Sequence, residues 1–305
     1  MRILRSTVPF AYLLLAASNL PSPLAGQAPP GTDIWILKLG GGGTEVFADG
    51  AIRATSREGY DNQPHFLPGE QYLLYTSIDA TGQADIVRFD YREFSTVRLT
   101  RTHPESEYSA ALMPSGTRFT VIRVEADSTQ RLWSFDFEGG NPQLILPGVQ
   151  PVGYHTWIDE TLLALFVLGS PATLQLASPG REEEPPTGES RVVAENIGRS
   201  LHTIPGTRKV SFVQWEEPGD GWITELDPET EEARVLAPLL EGNEFYAWTA
   251  GGALLMGNGS KLFRWEPGES EDWRELADLT ELGIREISRI AVSPEGNHLA
   301  VVGAH

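Results

Sequence analysis

The sequence predicts an all-β chain, a six-bladed β-propeller of four-stranded antiparallel blades whose sixth blade is closed by the N-terminal strands. Three observations carry this expectation. A turn-like tetrapeptide recurs at a near-constant interval, a short apolar run follows each recurrence, and the two ends of the chain hold complementary halves of one repeat.

The turns set the period. LPGE (Leu67–Glu70), MPSG (Met113–Gly116), IPGT (Ile204–Thr207), TAGG (Thr249–Gly252) and SPEG (Ser293–Gly296) recur, with WIDE (Trp157–Glu160) as a weaker version. Pro68, Pro114, Ile158, Pro205, Ala250 and Pro294 then form one column, with steps of 46, 44, 47, 45 and 44 residues.

Each turn is followed by a β-rich run: QYLLYTS from Gln71, RFTVIRV from Arg118, LLALFVL from Leu162, KVSFVQW from Lys209, ALLMG from Ala253 and HLAVVG from His298. A third segment closes on an aromatic or acidic pair, as in ADIVRFD (Ala84–Asp90), RLWSFDF (Arg131–Phe137), GWITELD (Gly221–Asp227) and KLFRWEP (Lys261–Pro267). A fourth follows, as in TVRLT (Thr96–Thr100) and ARVLA (Ala233–Ala237). Apolar alternation broken by Gly, Pro and Asp is strand and hairpin chemistry, and four strands per period make one propeller blade.

The ends fix the blade count. The last repeat holds two strands, Ile287–Val292 and His298–Val302. DIWILKL (Asp33–Leu39) and TEVFA (Thr44–Ala48) match the third and fourth strands of a blade and have no first two of their own. The propeller therefore spans 33–305 as one domain, and both termini build its sixth blade.

Residues 1–26 have the form of a cleaved signal peptide. Arg2 and Arg5 precede an apolar run from Val8 to Ala17, then Pro21, Pro23 and small residues, with cleavage expected near Gly26. The run is too short for a permanent span, so no stable membrane insertion is expected. A periplasmic or secreted protein follows. The chain has no Cys, which excludes disulfides, thiolate metal sites and a cysteine nucleophile. Its 42 acidic residues outnumber 23 basic ones, giving a net charge of −19, which argues against nucleic acid or anionic membranes as partners.

The unit that begins at PHFLPGE and runs through QYLLYTS, ADIVRFD and TVRLT resembles the WD-like propeller repeat of the TolB family, whose consensus turn is Ser-Pro-Asp-Gly. The likeness is strongest in blades one, two and six and degraded in three and five. A chain of 305 residues leaves no room for the extra α/β domain of TolB, nor for the hydrolase domain of related peptidases. The resemblance implies a propeller whose channel mouth receives a protein or peptide.

Function in a propeller is expected where the innermost strands line the channel. Three residues before the turn column stand His65, Ala111, His155, His202, Ala247 and Ala291. The TolB pattern is usually small here, so three imidazoles are a departure. Toward the strand starts lie Asp61, Asn62 and Gln63, then Glu107, Tyr108 and Ser109, then Tyr154, Arg199, Ser200, Glu244, Tyr246 and Arg289. Symmetry-equivalent strands bring all of these to one rim.

Three readings fit the rim. It recognises a protein or peptide without cofactor, with Tyr and Arg as anchors. Alternatively, His65, His155 and His202 hold a divalent metal for a lyase or hydrolase, with Asp61 or Glu107 nearby. Or the histidines pack between blades and the rim is merely solvated. No catalytic motif of the G-x-S-x-G, H-E-x-x-H or phosphate-loop kind is present. GNGSK (Gly257–Lys261) reads as a hairpin turn, REEEPPTGES (Arg181–Ser190) as an exposed insertion, and Trp133, Trp222 and Trp265 as inter-blade packing. A monomer is expected.

Overall fold

The computed structural model describes residues 30–69, 71–179, 188–217 and 219–304. The expected signal peptide, 1–26, and residues 181–187 of the charged insertion lie outside them. The chain opens on β1 (Asp33–Gly40) and β2 (Glu45–Arg53). Blade 1 follows as β3 (Tyr60–Phe66), β4 (Tyr72–Ile78), β5 (Ala84–Asp90) and β6 (Ser95–Arg98). Blade 2 is β7 (Ser106–Leu112), β8 (Arg118–Val124), β9 (Gln130–Asp136) and the short β10 (Gln143–Leu144). Blade 3 is β11 (Val152–Asp159), β12 (Leu162–Val167), β13 (Thr173–Ala177) and β14 (Ser190–Glu195). Blade 4 is β15 (Ile197–Thr203), β16 (Val210–Glu217), β17 (Asp220–Leu226) and β18 (Ala233–Pro238). Blade 5 is β19 (Tyr246–Trp248), β20 (Leu254–Asn258), β21 (Lys261–Trp265) and β22 (Arg274–Asp278). The chain ends on β23 (Glu286–Val292) and β24 (His298–Ala304).

These strands form six four-stranded antiparallel sheets, and the sixth has the order β2-β1-β24-β23. The expected closure is therefore present. β1 lies along β24 from Asp33↔Gly303 to Lys38↔His298, so the first and last parts of the propeller share one ladder. GNGSK folds as the expected two-residue hairpin, with Asn258 paired to Lys261 and Gly259 at φ +56°.

Alternation along each middle strand sends side chains to the two neighbouring blades in turn. Leu73 and Tyr75 of β4 meet blade 6, whereas Leu74 meets blade 2. The hydrophobic core is consequently divided into six clusters, one in each gap between consecutive blades. Trp265 follows this plan: it is buried in the gap between blades 4 and 5 and donates from Nε1 to Leu236 O at 3.0 Å.

The innermost strands are less regular. β3, β7, β11, β15 and β23 each carry a register shift against their partner. Gln63 and Ser109 take φ values of 59° and 53° in the bulges of β3 and β7. A bulge inserts an extra residue and re-aims the side chains after it. Here that decides which groups face the axis.

Candidate functional site

The six innermost strands enclose a cavity of about 520 Å3 along the axis. Strand pairing defines two rings on its wall. One comprises His65, Ala111, Thr156, His202, Ala247 and Ala291, opposite Leu74, Thr120, Ala164, Ser211, Leu255 and Ala300 respectively. Two residues earlier lie Gln63, Ser109, Tyr154, Ser200, Phe245 and Arg289, all of which also line the cavity. The turn residues Pro68, Pro205, Ala250 and Pro294 form the far end of the wall.

His155 is not in the histidine register expected from sequence. Blade 3 turns through Glu160 and Thr161, with Asp159 paired to Leu162, so the turn column passes through Asp159 instead of Ile158. The one-residue offset puts Thr156 in the ring and sends His155 to the opposite side of the strand. His155 is buried toward blade 2, where its Nε2 lies 2.7 Å from Thr120 Oγ1. Thr120 Oγ1 also lies 3.2 Å from Ala111 O and accepts from Trp157 Nε1 at 3.0 Å. His155 Nε2 shares a hydrogen bond with this hydroxyl, and its Nδ1 is buried without a partner.

Tyr246 repeats this arrangement. It is buried in the gap beside blade 4 and donates to Ser211 Oγ at 2.9 Å, with Trp248 Nε1 on the same oxygen at 2.8 Å. Phe245 takes the channel position instead. The residues alternate along NEFYAW, so Phe245 and Ala247 face the axis while Tyr246 and Trp248 face the blade gap.

His65 and His202 do share a ring, from blades 1 and 4. Consecutive blades contact each other around the circle, so these two blades stand opposite. His65 Nε2 accepts from Leu112 N–H at 3.1 Å, and His202 Nε2 lies 3.2 Å from Ser200 Oγ. Burial holds both imidazoles down to about 4 and His155 down to about 3, so all three are neutral at pH 7. No group of three or more His, Asp or Glu side chains is placed to hold a metal ion among the described residues.

Several rim candidates lie away from the cavity wall. Asp61 is buried and paired with Arg57, whose Nη2 is 2.6 Å from its Oδ1. Glu107 is buried against Thr102 Oγ1 at 2.6 Å and Arg123 Nε at 3.3 Å. Burial raises both carboxyls despite these partners. Asn62 is also buried and accepts the Gln63 N–H at 2.7 Å, bracing the bulge. Tyr108 packs on the cluster between blades 2 and 3. Glu244 orients Arg199, accepting its backbone N–H at 2.8 Å and its Nε at 2.5 Å.

What remains at the strand-start end is a cluster of arginines and aromatic rings. The Arg289 guanidinium lies 3.8 Å from the Phe245 ring centroid and 5.3 Å from that of Tyr154. Arg289 Nη2 also reaches Tyr154 Oη at 3.4 Å. Blade 6 stands opposite blade 3, so Arg289 and Tyr154 meet across the channel. Arg199 stacks over Phe245 at 5.2 Å. Tyr60 stands at the same end: burial pushes its hydroxyl up to about 12, with Arg289 pulling against the rise.

No family model matches the chain, and no curated protein matches its sequence. Solved structures do match its fold. A putative TolB from Agrobacterium tumefaciens superposes with a TM-score of 0.66 at 12% identity, over 90% of this chain and 99% of that one. TolB from Acinetobacter baumannii gives 0.58 at 11% identity, over 90% of this chain and 64% of that one. An oligogalacturonate lyase from Vibrio parahaemolyticus gives 0.54 at 12% identity, over 84% and 80%. At these identities the likeness establishes a fold, that of a TolB-like six-bladed propeller, and leaves activity to be argued from the site.

Proposed function

We propose that this TolB-like propeller is an exported, non-enzymatic protein- or peptide-binding module that receives its partner in the central channel. The cavity carries the reading: about 520 Å3 of axial space with Arg199, Arg289, Tyr154 and Phe245 grouped at one end. Arginine and large aromatic side chains are the residues that most often anchor a buried interface. Export rests on the N-terminal segment, and the mass of the mature chain recovered from the periplasm or medium checks it.

A photo-crosslinking amino acid tests the channel. Placed at Ala247 or Ala291, which line the cavity, it should capture a protein or peptide adduct, and Tyr154→Ala/Arg199→Ala should remove that adduct. The same group at Val235, exposed on the outer strand of blade 4, should capture nothing comparable. Equal capture at Val235, or adducts that survive the double substitution, would refute the channel as the binding surface.

A metal-dependent lyase or hydrolase is the second reading, favoured by two neutral imidazoles, His65 and His202, on one ring of the channel. A divalent metal would need its further ligands from a partner or substrate. Elemental analysis of purified protein beside His65→Ala/His202→Ala decides this. Stoichiometric metal that disappears in the variant supports the enzyme, and unchanged metal content in both removes it.

A further inference from the structure

The channel inverts the charge of the molecule. Acidic residues outnumber basic ones by 42 to 23, yet the described cavity wall contains Arg199 and Arg289 and no Asp, Glu or Lys. Arg199 already has Glu244 as its counter-ion. Arg289 forms no ion pair with any described carboxylate; its guanidinium rests on Phe245 and makes a long contact of 3.4 Å to Tyr154 Oη. A partly desolvated guanidinium without a counter-ion favours an oxyanion, which can take two parallel N–H···O bonds from its planar fork. The Arg289–Tyr154 contact spans the channel at the end away from the turns, so a chain entering from the turn end meets the guanidinium there.

We propose that the cavity binds a carboxylate, presented by the carboxyl terminus of a peptide and seated end-on against the Arg289 guanidinium. This rests on the peptide-binding reading above and adds the chemistry of the ligand's end. A cavity of this size accommodates a short terminal segment. His65, His202 and Thr156 supply neutral hydrogen-bonding groups for its amides, and Ala111, Ala247 and Ala291 leave room for its side chains. The carboxylate replaces Tyr154 as the partner of Arg289.

The test uses the full chain, immobilised, with three probes: a pool of random pentapeptides with free carboxyl ends, the same pool amidated, and trigalacturonate. Mass spectrometry should show the free-acid pool retained roughly tenfold or more above the amide pool. Arg289→Gln should abolish that preference and Arg289→Lys should keep part of it, with thermal melts checking that both fold. Arg234→Gln, on the outer strand of blade 4, should change nothing. The acid-to-amide comparison on the unaltered protein stands without any variant. Equal retention of the two pools overturns the carboxylate and leaves the peptide reading intact. Retention of neither pool overturns both. Retention of trigalacturonate in place of the peptides shows an acidic sugar as the ligand and overturns the peptide end.

Discussion

Thr120 and Ser211 show how one hydroxyl in a blade gap gathers its neighbours. Each accepts a tryptophan N–H and hydrogen-bonds a second group from the next blade, His155 in one case and Tyr246 in the other. The first pair makes folding pH-dependent. His155 titrates near 6.5 when free and is held down to about 3 by burial, with His65 nearby adding to the effect. The unfolded chain binds a proton at His155 below about pH 6.5, and the folded chain does so only near 3. The resulting stability is complete above 6.5 and is lost as the pH falls through that window. The melting temperature should therefore fall less between pH 7 and pH 4.5 for His155→Gln than for the unaltered protein, because glutamine can hydrogen-bond Thr120 in either direction but carries no titrating group. An identical fall would exclude His155 as the cause.

The strands were largely legible in the sequence, whereas their facing was not. Turn residues and apolar alternation located the segments because both are local chemistry. The direction of a side chain depends on counting from a fixed point, and blade 3 shifts that point by one. Its WIDE turn is a tight pair at Glu160 and Thr161, and a column through Asp159 would have given more even spacing than one through Ile158. That evenness was the available signal for Thr156 in the ring and His155 in the gap. The bulges at Gln63 and Ser109 break parity again, with non-glycine residues at positive φ that no local motif announces. Tyr246 stands in the expected rim, yet its hydroxyl is spent on Ser211 in the blade gap and Phe245 takes the channel position. Arg289 stood in the expected rim, but its reach to Tyr154 on the opposite blade exists only once the ring closes.

At the scale of the whole molecule, stability is distributed over six inter-blade clusters and depends on the circle being complete. β1 supplies Ile34, Ile36 and Leu37, all buried, to the clusters on both sides of blade 6. Removal of residues 1–53 should expose the β24 ladder and both flanking clusters, giving a broad melt and concentration-dependent light scattering. A sharp transition at the original temperature would show that β23 and β24 suffice for the sixth blade. The closure also sets a timetable. Asp33 pairs with Gly303, so one of the earliest structured residues must wait for one of the last before its ladder can form. Blades 1 to 5 are each built from consecutive strands, so in a nascent chain only the ring closure at blade 6 has to wait. That delay ends only when the final strand arrives, and until then the two faces of the gap left for blade 6 stay uncovered.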